Sequence, residues 1–190
     1  MRITGGQAAR RILKVPKGLD VRPTPDLVKQ AVFNSLGDRV VGARVLELFA
    51  GSGALSLECL SRGAAAVMCV EKSHRHAEFI RGNAGQAGYE DILETRTQDV
   101  FPVMRELAGN GRQFDLILAD PPYGEKNLGR RSTSLAQQLL DNPSLPQLLA
   151  PGARFVLGHT KRDTLDIPAG WDEVKLLKHG DTLMRFFERK

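Results

Sequence analysis

Apolar positions along the chain repeat in two ways, and the alternation between them outlines a fold. From residue 44 onward, short apolar runs suit strands buried on both faces, at residues 45–49, 66–70, 92–97, 114–119 and 153–157. Between these runs the apolar spacing becomes three and four, which predicts helices over 54–61, 74–87, 100–107 and 134–149. The last helix is interrupted at Pro143 and Pro146. Two more strands, 173–178 and 182–188, follow one another across Gly180-Asp181 with no helix between them. Successive strand-helix units call for a parallel sheet covered on both faces, and a helix-free terminal pair adds an antiparallel strand to its edge. The expected fold class is α/β and Rossmann-like: a seven-stranded, mostly parallel sheet with an antiparallel C-terminal edge hairpin.

The pattern ahead of residue 41 differs. Residues 2–4 and 11–15 read as two short strands with Gly5-Gly6 as their turn, and Pro16, Gly18 and Pro23 punctuate the stretch after them. Thr24-Pro25 reads as an N-cap and a first helical residue. Val28, Ala31, Val32, Ser35 and Leu36 then mark one helical face, and Gly37 closes it. The chain therefore divides into a small N-terminal extension of hairpin and helix, residues 1–40, and a main domain, residues 41–190.

Composition narrows the class. With 190 residues, 42% hydrophobic and 26% charged, the chain suits one soluble domain and a short appendage. No apolar run approaches the roughly 20 residues that span a bilayer. The opening MRITGGQAARR lacks an apolar core, so neither a membrane span nor a signal peptide is expected. Cys59 and Cys69 stand in apolar stretches without Cys-x-x-Cys spacing, as reduced core thiols of a cytoplasmic protein do. The net charge of +5 is local: residues 1–22 hold six basic groups and one acid, and the remainder is formally neutral. Such an arm suits a phosphate backbone, and equally a solvated surface.

Two segments carry chemistry. The first strand runs into Glu47-Leu48-Phe49-Ala50-Gly51-Ser52-Gly53, and a helix follows. Glycines at this turn let backbone approach a ligand closely. Glu71 ends the second strand, 18 residues after Gly53, where an acid can accept bonds from both ribose hydroxyls of an adenosine ligand. Alone this fits a dinucleotide too. However, Ser56 occupies the third glycine position, and Glu47 beside the loop repels a pyrophosphate while favouring a cation such as a methionine ammonium. The competing role for Glu47 is a local cap. Asp99, after the third strand, can cap the helix beginning at Val100. The fourth strand ends in Asp120-Pro121-Pro122-Tyr123-Gly124. Its carboxylate and the Pro121 carbonyl can each take one N–H of a planar amine, and Tyr123 offers a face for a flipped base. The histidines, His74, His76, His159 and His179, lack partners at ligand spacing, so no metal is expected.

The acidic-x-Phe-x-Gly-x-Gly run resembles motif I of class I S-adenosylmethionine methyltransferases. Asp120-Pro121-Pro122-Tyr123 resembles the Asp/Asn-Pro-Pro-Tyr/Phe motif of enzymes that methylate exocyclic amines of adenine, cytosine or guanine. Further segments are similar to the bacterial small-subunit ribosomal RNA guanine-N2 methyltransferase family: Arg2-Ile3-Thr4-Gly5-Gly6, Leu19 to Thr24, Val32-Phe33-Asn34, Leu60-Ser61-Arg62-Gly63-Ala64, Val70-Glu71-Lys72, Leu149-Ala150-Pro151-Gly152 and Gly180-Asp181-Thr182. The likeness covers nearly the whole chain. It implies S-adenosylmethionine held by Glu47, Phe49, Gly51, Ser52, Gly53, Glu71, Lys72 and Asp99, the last accepting from the adenine amine. It implies catalysis by Asp120, Pro121, Pro122 and Tyr123 on a guanine N2 of 16S rRNA in an assembling small subunit. Arg2, Arg10, Arg11, Arg22 and Thr24 would then bind RNA, and the protein would act as a monomer without metal. The stretch 124–131 departs from the family pattern; Arg130 and Arg131 there either touch RNA or remain solvated. The alternatives are a DNA adenine-N6 methyltransferase, disfavoured because no target-recognition segment is inserted, and a non-catalytic RNA-binding assembly factor, disfavoured by the intact acidic set. A small-molecule methyltransferase fits the basic arm poorly.

Overall fold

In the computed structural model, which describes residues 1–15, 24–123 and 130–190, helix α1 (Asp26–Leu36) precedes the alternating series. This runs β1 (Arg44–Leu48), α2 (Ala54–Ser61), β2 (Ala66–Val70), α3 (His74–Ala87), β3 (Leu93–Arg96), α4 (Val100–Gly109), β4 (Phe114–Ala119), α5 (Leu135–Asp141) and β5 (Leu149–Thr160). β6 (Trp171–His179) and β7 (Thr182–Arg189) complete it. The strands form one sheet in the order β3-β2-β1-β4-β5-β7-β6. Neighbours from β3 to β5 are parallel, and β7 runs antiparallel to both β5 and β6.

The C-terminal pair is the expected antiparallel edge hairpin, with β7 against β5 and β6 at the edge. Burial explains the choice. β7 buries Met184, Phe186 and Phe187, whereas β6 exposes Asp172, Glu173, Val174 and Lys175, and charges protect an open edge from further pairing. The helix expected over 134–149 stops at Asp141, ahead of Pro143, and Pro146 opens a short 3-10 turn. β5 begins already at Leu149, because Leu149 pairs with Phe114 before the ladder shifts register, and Gly152 (φ +74°) lies within the shifted stretch.

Strand alternation sorts the core onto two faces. Val45, Val67, Leu116, Leu118 and Val156 meet α1, α2 and α3. Leu46, Leu48, Met68, Ile117 and Phe155 meet α4 and α5. Glu47 shares the register of Val45 and so faces the first side.

The N-terminal hairpin contracts to one antiparallel bridge, Arg2 with Ile12. The residues between turn through Ala9 N–H to the Gly6 carbonyl (3.2 Å) and Arg11 N–H to the Ala8 carbonyl (3.2 Å), and they pack on the end of α2. Gln7 donates to the Ser61 carbonyl (2.7 Å), Ala8 N–H to Ser61 Oγ (2.9 Å), and that hydroxyl to the Gly5 carbonyl (2.6 Å). A Cβ on Gly6 (φ +77°) would stand 1.8 Å from the Ser61 carbonyl oxygen, so only glycine fits. Ile3, Ala8 and Leu13 join the same buried cluster as α1 and α2. An apolar core thus runs across the boundary expected near residue 40.

A buried ion cluster fixes this docking. Lys29 of α1 and Glu58 of α2 have fully buried side chains. Lys29 Nζ lies 3.1 Å from Asp26 Oδ1 and 3.9 Å from Glu58 Oε2, and donates to the Arg2 carbonyl. Glu58 accepts from Thr4 N (2.8 Å), Thr4 Oγ1 (2.7 Å) and Arg62 Nη2 (2.9 Å). Arg62 also stacks 5.0 Å from the Phe33 ring centroid. Removing one partner of such a cluster strands the other charge in the core. Glu58→Ala is expected to lower the unfolding free energy by about 3–5 kcal/mol, measured by urea denaturation. A loss near zero would show that the apolar contacts and the Ser61 bonds hold the arm without the ion cluster.

Candidate active site

The sheet order reverses at β1: the chain proceeds outward through β2 and β3, then crosses to β4 on the other side. Ligands of open α/β sheets bind at the carboxyl ends of strands flanking such a switch point. β1 delivers the glycine loop there, β2 delivers Glu71 and β4 delivers Asp120.

The loop needs left-handed backbone at Phe49 (φ +57°), Gly51 (+55°) and Gly53 (+72°). For Phe49 this conformation costs on the order of 1–3 kcal/mol; its ring meets the edge of Phe101, centroids 6.3 Å apart. A Cβ on Gly53 would press within 3.1 Å of Ile80 on α3, so this glycine also permits close helix packing. Glu71, nearly buried at 8% exposure, pins the loop. Its Oε2 accepts Gly51 N–H (2.8 Å), and its Oε1 accepts Ser73 N–H (2.8 Å) with His76 Nδ1 at 3.5 Å.

Glu47 is buried. Its Oε2 accepts Ser56 N–H (2.9 Å) and the Ser56 hydroxyl, while Oε1 has no hydrogen-bond partner among the described residues. The local cap and a ligand contact are therefore not exclusive, since one oxygen serves each. Burial pushes the Glu47 carboxyl up to about 8; the Ser56 bonds oppose this, and Asp120 and Glu71 add repulsion. Ser56, the departure from the dinucleotide pattern, is thus the residue that holds Glu47. The buried Cys69 Sγ lies 2.9 Å from Ser56 Oγ, and burial raises both cysteine thiols, leaving them inert.

Asp120 leaves β4 partly exposed. Its Oδ2 accepts the Thr24 hydroxyl (2.7 Å), and its Oδ1 is buried without a hydrogen-bond partner. Burial raises the Asp120 carboxyl above the usual range, and the Thr24 bond opposes the rise. Thr24 consequently does not cap α1: Pro25 holds the N-cap position with no side-chain bond, because the hydroxyl is engaged across the molecule. Against Oδ1 stands Gly158 of β5, where a Cβ would lie 2.4 Å from that oxygen and 3.2 Å from Met184 Sδ. Sequence reasoning missed Gly158, for no local pattern marks it. Beyond Asp120, Pro121 is buried and Pro122 exposed. Tyr123 is 45% exposed, with its hydroxyl 3.1 Å from Thr182 Oγ1.

Ser52 is half-buried and Lys72 exposed. Asp99 caps α4 through Phe101 N–H (3.0 Å), leaving its second oxygen open. Arg2 pairs with Asp26 (2.9 Å), Arg11 donates to the Gln86 carbonyl, and Arg10 is exposed. Arg22 and the loop 124–129 lie outside the described residues. Arg130 is exposed, while Arg131 pairs with Asp141 (2.6 Å) and Asp166 (3.4 Å) and so ties the chain beyond that loop to α5. Among the described residues no group of three or more His, Cys, Asp or Glu could hold a metal, and no helix is long and apolar enough to cross a membrane.

Comparison with known proteins places this geometry. The family model described as conserved hypothetical protein 95 matches residues 1–188. The chain is 30% identical to ribosomal RNA small subunit methyltransferase D of Escherichia coli K12, covering 100% of this chain and 90% of the relative. It is 34% identical to YlbH of Bacillus subtilis over 67% of this chain and 70% of the relative. A solved structure of a hypothetical protein from Thermus thermophilus superposes with a TM-score of 0.78 at 28% identity, covering 98% of both chains.

Gly158→Ala tests the wall behind Asp120. The added methyl is expected to cost about 1–3 kcal/mol in urea unfolding and to drive the carboxylate off the Thr24 hydroxyl in a crystal structure. A variant of parental stability with that bond intact would refute the reading.

Proposed function

We propose that this chain, which belongs to the family described as conserved hypothetical protein 95, transfers a methyl group from S-adenosylmethionine to the exocyclic N2 of a guanine in 16S ribosomal RNA, within an assembling small subunit. One observation carries the chemistry. The Asp120-Pro121-Pro122-Tyr123 turn leaves β4 directly beside the glycine loop of β1, where the sheet order reverses. The small-subunit rRNA activity named for a relative that aligns along the whole chain supports the substrate.

The residues present fit the cofactor. The unpartnered Glu47 Oε1 suits an ammonium, and the loop at Phe49, Gly51, Ser52 and Gly53 admits a ligand close to backbone. Glu71 retains lone pairs for ribose hydroxyls, the open oxygen of Asp99 suits the adenine amine, and Lys72 stands exposed at the end of β2. S-adenosylmethionine, when bound, supplies a methyl group on a sulfonium, an electrophile that needs a positioned nucleophile. The chain's own task is to make one from an amine whose lone pair is delocalised into the base. Asp120 accepts one N–H and the Pro121 carbonyl the other, favouring a tetrahedral nitrogen. Asp120 stabilises the positive charge that develops and takes the proton. Tyr123 stacks on the flipped base, and the two prolines keep the turn rigid. Positioning and electrostatics carry the rate, and neither a covalent adduct nor a metal is needed.

The basic arm meets the RNA backbone. Arg10 and Lys14 have exposed side chains without partners among the described residues, and Arg2, Arg11, Arg22 and Arg130 extend the surface. The protein acts as a cytoplasmic monomer.

Labelled methyl transfer to immature small subunits, with nucleosides resolved by mass, tests the reading: label is expected on guanine N2. Label confined to duplex DNA would assign an adenine methyltransferase instead, and label in neither would leave an assembly factor. Asp120→Ala is expected to lower turnover by at least about 100-fold, with cofactor affinity within a few-fold of the parent.

Cofactor affinity should also depend on pH through Glu47. Below about 8 the free carboxyl carries a proton that a cationic ligand must expel, so affinity falls by up to about tenfold per unit as pH drops. Above about 8 the ligand's own α-amine loses its charge, which places the optimum near that pH. Titration calorimetry of the parent and Glu47→Gln checks this; an acid limb retained by the variant would exclude Glu47 as its source.

A further inference from the structure

We propose that Thr24 is a positioning residue for methyl transfer: its hydroxyl sets the plane of the Asp120 carboxylate and leaves one lone pair of Oδ2 for the substrate amine. The inference rests on the methyltransferase reading above. Oδ1 is buried and walled by Gly158, where even a Cβ would stand 2.4 Å away. An incoming amine therefore has to meet Oδ2, the oxygen that already accepts Thr24 Oγ1 at 2.7 Å. A carboxylate oxygen has two lone pairs in its plane. Thr24 occupies one, and the direction of the other is fixed as soon as the plane is fixed.

The terminal torsion of an aspartate is broad and weakly restrained, so something outside the side chain has to hold it. Two devices make Thr24 a stiff support. Its χ1 is restricted by β-branching, and Pro25 confines its backbone to extended conformations. Asp120 is likewise followed by a proline, Pro121. The hydrogen bond thus joins two residues that each precede a proline, one on the basic arm's side and one at the end of β4. Asp26, two positions beyond Thr24, takes the Arg2 guanidinium and the Lys29 ammonium. The hydroxyl is thereby anchored through α1 to the buried ion cluster and to the arm that meets the RNA.

The experiment compares Thr24→Val and Thr24→Ser with the parent in full-length protein. Thr24→Val is expected to lower single-turnover methyl transfer to immature small subunits by about 10- to 100-fold, the worth of a hydrogen bond to a charged group. Cofactor affinity and thermal stability should stay close to parental, and Thr24→Ser should recover most of the rate. Losing a donor to the ionised form raises the Asp120 pKa. The acid limb of the rate profile should therefore move to higher pH in Thr24→Val. Glu47, the titratable group on β1 that faces Asp120, is the same in all three proteins. Carbon-13 NMR titration of the Asp120 carboxyl follows the same shift without RNA. It decides the inference even if immature subunits prove not to be the substrate, an outcome that would sink the function and leave the carboxylate geometry standing. A parental rate and parental Asp120 titration in Thr24→Val would overturn the proposal, as would a loss that serine fails to recover.

Discussion

Three carboxylates, Glu47, Glu71 and Asp120, converge at the carboxyl ends of β1, β2 and β4, where burial raises the Glu47 and Asp120 carboxyls and the neighbouring acids add repulsion at Glu47. Each is held by donors that carry no compensating full charge: the Ser56 amide and hydroxyl, the Gly51 and Ser73 amides, and the Thr24 hydroxyl. The donors orient the acids without neutralising them. A crevice whose three acids meet no lysine or arginine among the described residues is unsatisfied until a cation or a donor-rich ligand enters. That is the electrostatic demand of a sulfonium cofactor with an ammonium at one end, and of an amine acquiring charge at the other.

Much of the local geometry follows from this demand. The left-handed turn through Phe49, Gly51 and Gly53 aims the Gly51 amide at Glu71, so strain in the loop is tied to the second acid. The start of α2 supplies the Ser56 amide that steadies the first acid. The opposite arrangement operates some distance away, between α1 and α2, where Lys29, Arg62, Glu58 and Asp26 neutralise one another and leave no site. One set of buried acids is short of counterions among the described residues, as the proposed site requires. The other is balanced and works as a lock.

The sheet and the two motifs were legible in the sequence because both depend on short-range rules. Strand alternation, helix spacing and the Gly-x-Gly turn are written within a few residues. The misreadings share a different cause. Thr24 before Pro25 has the local form of a helix cap, and its hydroxyl is drawn away by a carboxylate 96 positions later. Gly158 lies inside an apolar strand, where only the neighbouring β4 reveals why a side chain is barred. The C-terminal edge hairpin is present as expected; only the order within it, β7 against β5 and β6 outside, requires knowing what each strand face meets. The arm keeps its antiparallel pairing through Ile3 N–H to the Arg11 carbonyl (3.0 Å) and Leu13 N–H to the Met1 carbonyl (2.9 Å), but the bonds of its tip go to Ser61, which no local pattern marks.

These corrections alter what the basic arm is. Counted by sequence, residues 1–22 hold a net +5 and read as an appendage for RNA. In the structure Arg2 is matched by Asp26, Arg11 is spent partly on the Gln86 carbonyl, and Ile3, Ala8 and Leu13 belong to the core. Less of the charge is available to a phosphate backbone than the count implies, and more of the arm is structural. Thr24, whose hydroxyl holds Asp120, stands just ahead of α1, so on the proposed reading the arm offered to RNA and the support of the catalytic carboxylate belong to one stretch of chain. On the proposed reading such an arm serves catalysis by being fixed in place, and the burial of Ile3, Ala8 and Leu13 supplies a fixing that a mere electrostatic tether does not require.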